Sequence, residues 1–207
     1  MSIPKIKICG LTSLSDALTA ARSGADYLGF IINFPKSPRH MSPEAVRKII
    51  GAIKPNFPKI KFVGVLVNQD LSVAENLVSE IGLNVIQLHG SETPDYCATL
   101  RKKVEVWKAL VIKSPEDLKN LADYQATADK ILFDAGKGIG QEIDLTLLKN
   151  IAVDILAGGL GTYNVARAIQ TVHPQIVDFN SALESAPGKK DVDKIRAAVA
   201  AVGIINQ

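Results

Sequence analysis

Short apolar runs and amphipathic stretches alternate along the whole chain, separated by glycines and prolines. The first run, residues 3–9, alternates apolar and basic positions like a half-buried strand and breaks at Gly10-Leu11-Thr12. Leu14–Ser23 then carries apolar residues at helical spacing until Gly24 stops it. Tyr27–Ile32 reads as a buried strand, and Ser42-Pro43-Glu44 opens a helix with a capping serine and an early proline. The same alternation predicts strands at 61–67, Val85–Leu88, 104–112, 131–133, 155–157 and Ile176–Phe179. Helices are predicted at 73–81, about Pro94–Leu100, after Ser114-Pro115-Glu116, near 145–149, over 164–172 and over 191–202. Eight strand–helix units in 207 residues predict an α/β fold, a (β/α)8 TIM barrel in one domain spanning 1–207. A doubly wound sheet would want a glycine fingerprint after its first strand, and none is present.

Composition narrows the class. With 47% hydrophobic and 22% charged residues, the chain can bury one substantial core. Its two cysteines, Cys9 and Cys97, form no Cys-x-x-Cys pair, which predicts a reducing cytoplasm and no metal. No charged start followed by an apolar stretch suggests a secretory signal, and no apolar run approaches the ~20 residues of a membrane span. The expectation is therefore a cytoplasmic protein without membrane contact. A net charge of +3, without a basic–aromatic stripe, argues against nucleic acid and is compatible with an anionic small substrate.

A barrel brings the polar residues at its strand ends to one mouth. Those residues are Cys9, Asn33 with Arg39, Asn68, Gln87 with His89, Asp134, Gly158-Gly159, and Asp178 with Ser181. Cys9 is either a small buried hydrophobe or a base whose pKa has been lowered. His89 is equally open between a structural and a functional role. Gly158-Gly159 and Asn180-Ser181-Ala182 follow strands seven and eight, where barrels hold a phosphate on backbone N–H groups; Gly158-Gly159 alone could be a tight turn, but the pairing of the two loops favours the phosphate. Asp134 either caps its strand or faces the mouth. In the mouth, a thiolate on strand one and a carboxylic acid on strand six would move protons on both faces of a sugar. Such chemistry needs no hydride donor, metal or cofactor, and points to an isomerase.

The chain also resembles the phosphoribosylanthranilate isomerases of tryptophan biosynthesis, from Lys7-Ile8-Cys9-Gly10-Leu11-Thr12 to Pro187-Gly188-Lys189-Lys190-Asp191. Between these lie Lys36-Ser37-Pro38-Arg39, Gly64-Val65-Leu66-Val67-Asn68, Gln87-Leu88-His89-Gly90 and Leu156-Ala157-Gly158-Gly159-Leu160. The resemblance implies conversion of N-(5-phosphoribosyl)anthranilate to 1-(2-carboxyphenylamino)-1-deoxyribulose 5-phosphate by an Amadori rearrangement. It implies Asp134 as the acid that opens the ribose ring and Cys9 as the base that removes the C2 proton. Arg39 would meet the anthranilate carboxylate, and Gly158, Gly159, Ser181 and Ala182 the phosphate, with Gln87, His89 and Asp178 also on the substrate. The implied partner is this phosphorylated small molecule, and other tryptophan-pathway enzymes are partners the resemblance allows. Two segments depart from the family pattern: Ala182 replaces a glycine, and Lys137-Gly138-Ile139-Gly140 with Ile143-Asp144-Leu145 shortens the loop after strand six. Both bear on affinity more than on chemistry. The alternatives are the aminoimidazole-carboxamide ribonucleotide isomerases, which use a carboxylate where Cys9 stands, and a degenerate barrel that only binds a sugar phosphate.

Overall fold

The computed structural model describes residues 3–136 and 142–204. Among them, eight parallel strands form the barrel: β1 (Lys5–Ile8), β2 (Tyr27–Ile32), β3 (Lys61–Leu66), β4 (Val85–Leu88), β5 (Glu105–Val111), β6 (Lys130–Asp134), β7 (Ile155–Leu156) and β8 (Ile176–Phe179). β1 pairs with β2 on one side and β8 on the other, so the sheet closes. The helices are α1 (Leu14–Ser23), α2 (Pro43–Ile53), α3 (Leu71–Ile81), α4 (Pro94–Leu100), α5 (Leu121–Thr127), α6 (Val165–Val172) and α7 (Val192–Gly203).

Strands buried on both faces read as continuous apolar runs, which explains why β2, β3 and β8 stand out in the sequence. Outward side chains such as Ile8, Leu28 and Phe179 pack beneath the helices in the larger core. Inward ones fill the barrel, where Tyr27 meets Trp107 edge-on with ring centroids 5.0 Å apart. Higher in the barrel the inward residues shrink to Ala109 and Ala157, which leaves room for a mouth.

Local signals set the helix ends. Ser42 caps α2 by accepting from Ala45 N, and Gly24 ends α1 in the left-handed region at φ 102°. The segment near 145–149 is a 3-10 turn, Leu145–Leu148, held by Asp144 Oδ1 accepting from Thr146 N at 2.9 Å. The segment after Ser114 is a 3-10 turn, Pro115–Leu118, followed by α5. Two short pieces lie outside the predicted pattern: the strand His40–Met41 beside β2, and the hairpin of Glu184–Ala186 with Lys189–Lys190 after β8.

Candidate active site

Cys9, Arg39, Gln87, His89, Asp134, Gly158, Gly159, Asp178, Ser181 and Ala182 line a single cavity of about 380 Å³ at the C-terminal ends of the strands. Asn33 and Asn68 do not line it. Both have positive φ (53° and 51°), and Asn68 Oδ1 instead accepts from Ser91 N at 2.7 Å to brace the loop after β4.

Cys9 follows β1 directly and is 4% exposed. Gly29 on β2 makes its position possible, because a Cβ there would stand 2.8 Å from Sγ. Two residues before Cys9, and therefore on the same inward face, Lys7 is fully buried. The sequence pattern set the basic residues of 3–9 on a solvent face; Lys5 is exposed, but Lys7 lies inside the barrel while Ile8 packs under the helices. Lys7 Nζ donates to Asp178 Oδ2 at 2.6 Å. Asp178 Oδ1 is buried and has no partner among the described residues. Burial works against the charged form of Lys7, but Asp178 and Cys9 outweigh it and its pKa is raised. Burial also pushes the Cys9 thiol up, against the pull of Lys7, and pushes Asp178 up despite the same cation.

Asp134 ends β6 beneath Gly158. Its Oδ1 accepts from Gly136 N at 3.0 Å, and His89 Nε2 lies 3.4 Å from its Oδ2. On the far side of the ring, Gln87 Nε2 is 3.0 Å from His89 Nδ1. With the amide donating to Nδ1, the ring proton sits on Nε2 and faces Asp134. Burial raises the Asp134 pKa, but His89, Gly136 N–H and Lys7 outweigh it, so the carboxyl titrates below its ordinary value. Gln87 Oε1 is a second buried acceptor without a partner among the described residues.

Arg39 is already held. Its Nε and Nη2 donate to the two oxygens of Glu184, each at 2.7 Å, and Lys190 Nζ reaches Glu184 Oε1 at 3.0 Å. Lys190 also donates to Asn180 Oδ1 at 3.0 Å. Glu184 is buried, yet Arg39 and Lys190 hold its pKa below the ordinary value of 4.5. The Arg39 fork therefore faces the hairpin, and its Nη1 edge is what remains for a ligand. Glu184 was absent from the residues singled out in the sequence, because it lies 145 positions from Arg39 and past the strand end.

The glycine loop is built for close approach. Gly158 and Gly159 have φ of 87° and 61°, and a Cβ on Gly158 would meet Ala135 N at 2.7 Å. Asn164 then ties the loop, accepting from Gly161 N at 2.8 Å and donating to Gly159 O at 3.0 Å. Ala182 sits in the 3-10 turn Ser181–Leu183 and is not among the positive-φ residues, so its methyl is accommodated without strain. The other departure, Lys137-Gly138-Ile139-Gly140, lies outside the described residues; Ile143 is buried and Asp144 caps the turn after it. Among the described residues, no three His, Cys, Asp or Glu side chains converge as metal ligands.

A closed parallel barrel with a polar, largely buried mouth at the strand C-termini defines the class of (β/α)8-barrel enzymes. Within that class the comparisons select one family. The family model described as N-(5'phosphoribosyl)anthranilate (PRA) isomerase matches residues 6–201, and the chain belongs to that family. It is 41% identical over 204 residues to the N-(5'-phosphoribosyl)anthranilate isomerase of Citrifermentans bemidjiense, covering 95% of each chain. Against the Zymomonas mobilis enzyme of the same name, identity is 38% over 213 residues, covering 97% and 99% of the two chains. The crystal structure of the Thermotoga maritima phosphoribosyl anthranilate isomerase superposes with a TM-score of 0.89 at 34% identity, covering 97% of this chain and 98% of that one. A phosphoribosyl anthranilate isomerase in complex with reduced 1-(o-carboxyphenylamino)-1-deoxyribulose 5-phosphate superposes with a TM-score of 0.87.

Proposed function

We infer that the chain isomerises N-(5-phosphoribosyl)anthranilate to 1-(2-carboxyphenylamino)-1-deoxyribulose 5-phosphate in tryptophan biosynthesis. The observation that carries the roles of its residues is the meeting of Cys9, Asp134 and the Gly158-Gly159 loop in one cavity. β7 and β8 lie between the strands that carry Cys9 and Asp134, so a ligand in the mouth is flanked by both. Asp134 in its protonated form gives its proton to the ribose ring oxygen, and the His89 Nε2–H then stabilises the carboxylate left behind. Cys9 as thiolate then takes the C2 proton, giving an enolamine that tautomerises to the ketone. Gly158, Gly159, Ser181 and Ala182 hold the phosphate on backbone N–H groups, while Gln87 Oε1 and Asp178 Oδ1 offer acceptors to the sugar hydroxyls. Arg39 Nη1 meets the anthranilate carboxylate.

The partner this reading requires is the phosphorylated small molecule; association with other tryptophan-pathway enzymes stays an expectation of the resemblance. No helix among the described residues is long and apolar enough to cross a membrane, and both cysteines are free and buried, which supports a cytoplasmic enzyme. Loss of anthranilate fluorescence on turnover is the direct assay. In it, Asp134→Asn should bind a reduced product analogue normally and turn over about 10²–10⁴-fold more slowly. Lost binding with unchanged turnover of the bound fraction would remove Asp134 as the acid. Analogue binding without turnover by the unmodified chain would favour the degenerate barrel.

A further inference from the structure

A base must ionise, and in this barrel Cys9 does so against its surroundings. It is 4% exposed, and burial favours the neutral thiol. Beside it stand one fixed cation and one competing acid, all three on inward-facing or strand-end positions of the adjacent strands β1 and β8. Lys7 is fully buried and its ammonium is already paired at 2.6 Å with Asp178. Asp178 has used only one of its oxygens: Oδ2 takes the lysine and Oδ1 is buried without a partner among the described residues. An unpartnered carboxylate oxygen in such a place is costly unless something occupies it. One cation with two acids is neutral only when one of the acids keeps its proton.

We propose that Lys7 is a positioning residue for the base: its ammonium serves both Cys9 and Asp178, and Cys9 becomes a thiolate when Asp178 Oδ1 takes up a proton in exchange for the one that Cys9 releases. The S–H bond breaks with its electron pair left on sulfur, an O–H bond forms on the carboxylate, and the net charge of the group does not change. Lys7 then balances the thiolate instead of the carboxylate. The two acids titrate as a coupled pair around the cation, not as independent groups. Their surroundings fit that exchange. Lys190 from the hairpin and Arg39 from the loop after β2 also face Cys9 with positive charge, while Asp134 on β6 disfavours and His89 just after β4 favours an ionised Asp178.

The inference rests on Cys9 being the base, but its test reads ionisation directly. Iodoacetamide labelling of Cys9 is followed across pH by peptide mass spectrometry, with Cys97, which burial pushes up to about 11, as the reference thiol. Lys7→Met should raise the Cys9 labelling midpoint by roughly 1–2 pH units, and Asp178→Asn should lower it by a similar amount. Opposite signs are the signature, because a merely structural disturbance moves both variants the same way. Circular dichroism checks the fold. If Lys7→Met does not fold, the Asp178→Asn shift decides alone, and the double variant Lys7→Met/Asp178→Asn, which buries no unpaired charge, should return a higher midpoint than Asp178→Asn. Midpoints within a few tenths of the unmodified protein, or both raised, would overturn the proposal. A Cys9→Ser variant with full turnover would instead sink the catalytic assignment of Cys9 while leaving the labelling result standing.

Discussion

Two of the buried lysine–carboxylate pairs, Lys7–Asp178 and Lys108–Glu92, look alike in isolation and differ in what they leave open. In the mouth, Lys7 meets Asp178, and one carboxylate oxygen stays unoccupied. On the outer side of the sheet, Lys108 of β5 meets Glu92 at 3.0 Å in the loop after β4. There every direction is filled: Lys108 Nζ also donates to Gly90 O at 2.6 Å and Leu88 O at 3.3 Å. Glu92 in turn accepts from Asn68 N at 2.7 Å and Gly90 N at 2.9 Å. A completed network rigidifies, and an incomplete one keeps a proton site or a ligand site available. The outer pair ties loops together; the inner pair is poised for chemistry.

The largest effect expected from separating these roles is in turnover. Cys9→Ser should cost about 10³-fold or more in kcat, since a hydroxyl is a far weaker base, with the melting temperature nearly unmoved. Steady-state assay beside a thermal melt checks both halves. Lys108→Met should do the reverse, lowering stability by about 3–5 kcal/mol because Glu92 is left buried without its counter-charge, while folded enzyme keeps its kcat. Denaturant unfolding measures the first and turnover per folded molecule the second; a fall in kcat matching that of Cys9→Ser would erase the distinction between the two pairs.

Glu184 lies between these extremes, since it holds Arg39 and Lys190 at the edge of the mouth. Its folded pKa is depressed, so its stabilisation is full above the ordinary value of 4.5 and is lost as pH falls through the folded value. Glu184→Gln should therefore cost about 1.5–3 kcal/mol at pH 7, and the gap to the unmodified protein should close in acid. Melts of both proteins between neutral and acid pH test the sign: a gap that widens in acid would mean that Arg39 and Lys190 do not hold the carboxylate. The smallest expected change is at Ala182. With φ already negative, Ala182→Gly should lower stability by up to about 1 kcal/mol through the unfolded state and leave phosphate-analogue affinity nearly unchanged.

Much of this architecture is legible in the sequence where one physical signal dominates. The bounds of α1, α4, β2, β4 and β8 follow from an apolar run or helical spacing closed by a glycine, proline or cap. The cavity residues could be gathered because parallel strands point their C-termini one way, so a list of strand ends approximates a list of mouth residues. Lys7 escaped that logic. Alternation of lysine with isoleucine is what a solvent-facing strand shows, and only closure of the β1–β8 register turns that face inward onto Asp178. The grip of Glu184 on Arg39 escaped because it joins the hairpin after β8 to the loop after β2, a pairing that no local pattern encodes. His40–Met41 is too short to carry any periodicity at all.

That grip also constrains how this mouth could be remodelled. One carboxylate fastens Arg39 on one side and Lys190 on the other, and Lys190 in turn holds Asn180 at the start of the loop after β8. Thr12 Oγ1 adds a third strap, donating to Gly188 O at 2.5 Å. The spacing between the arginine and the glycine-lined end of the cavity is thus set by a rigid caliper, not by two loops free to drift. Adapting the barrel to a longer or shorter dianion would require resizing the hairpin itself, and substitutions made at either jaw alone would meet the resistance of the other.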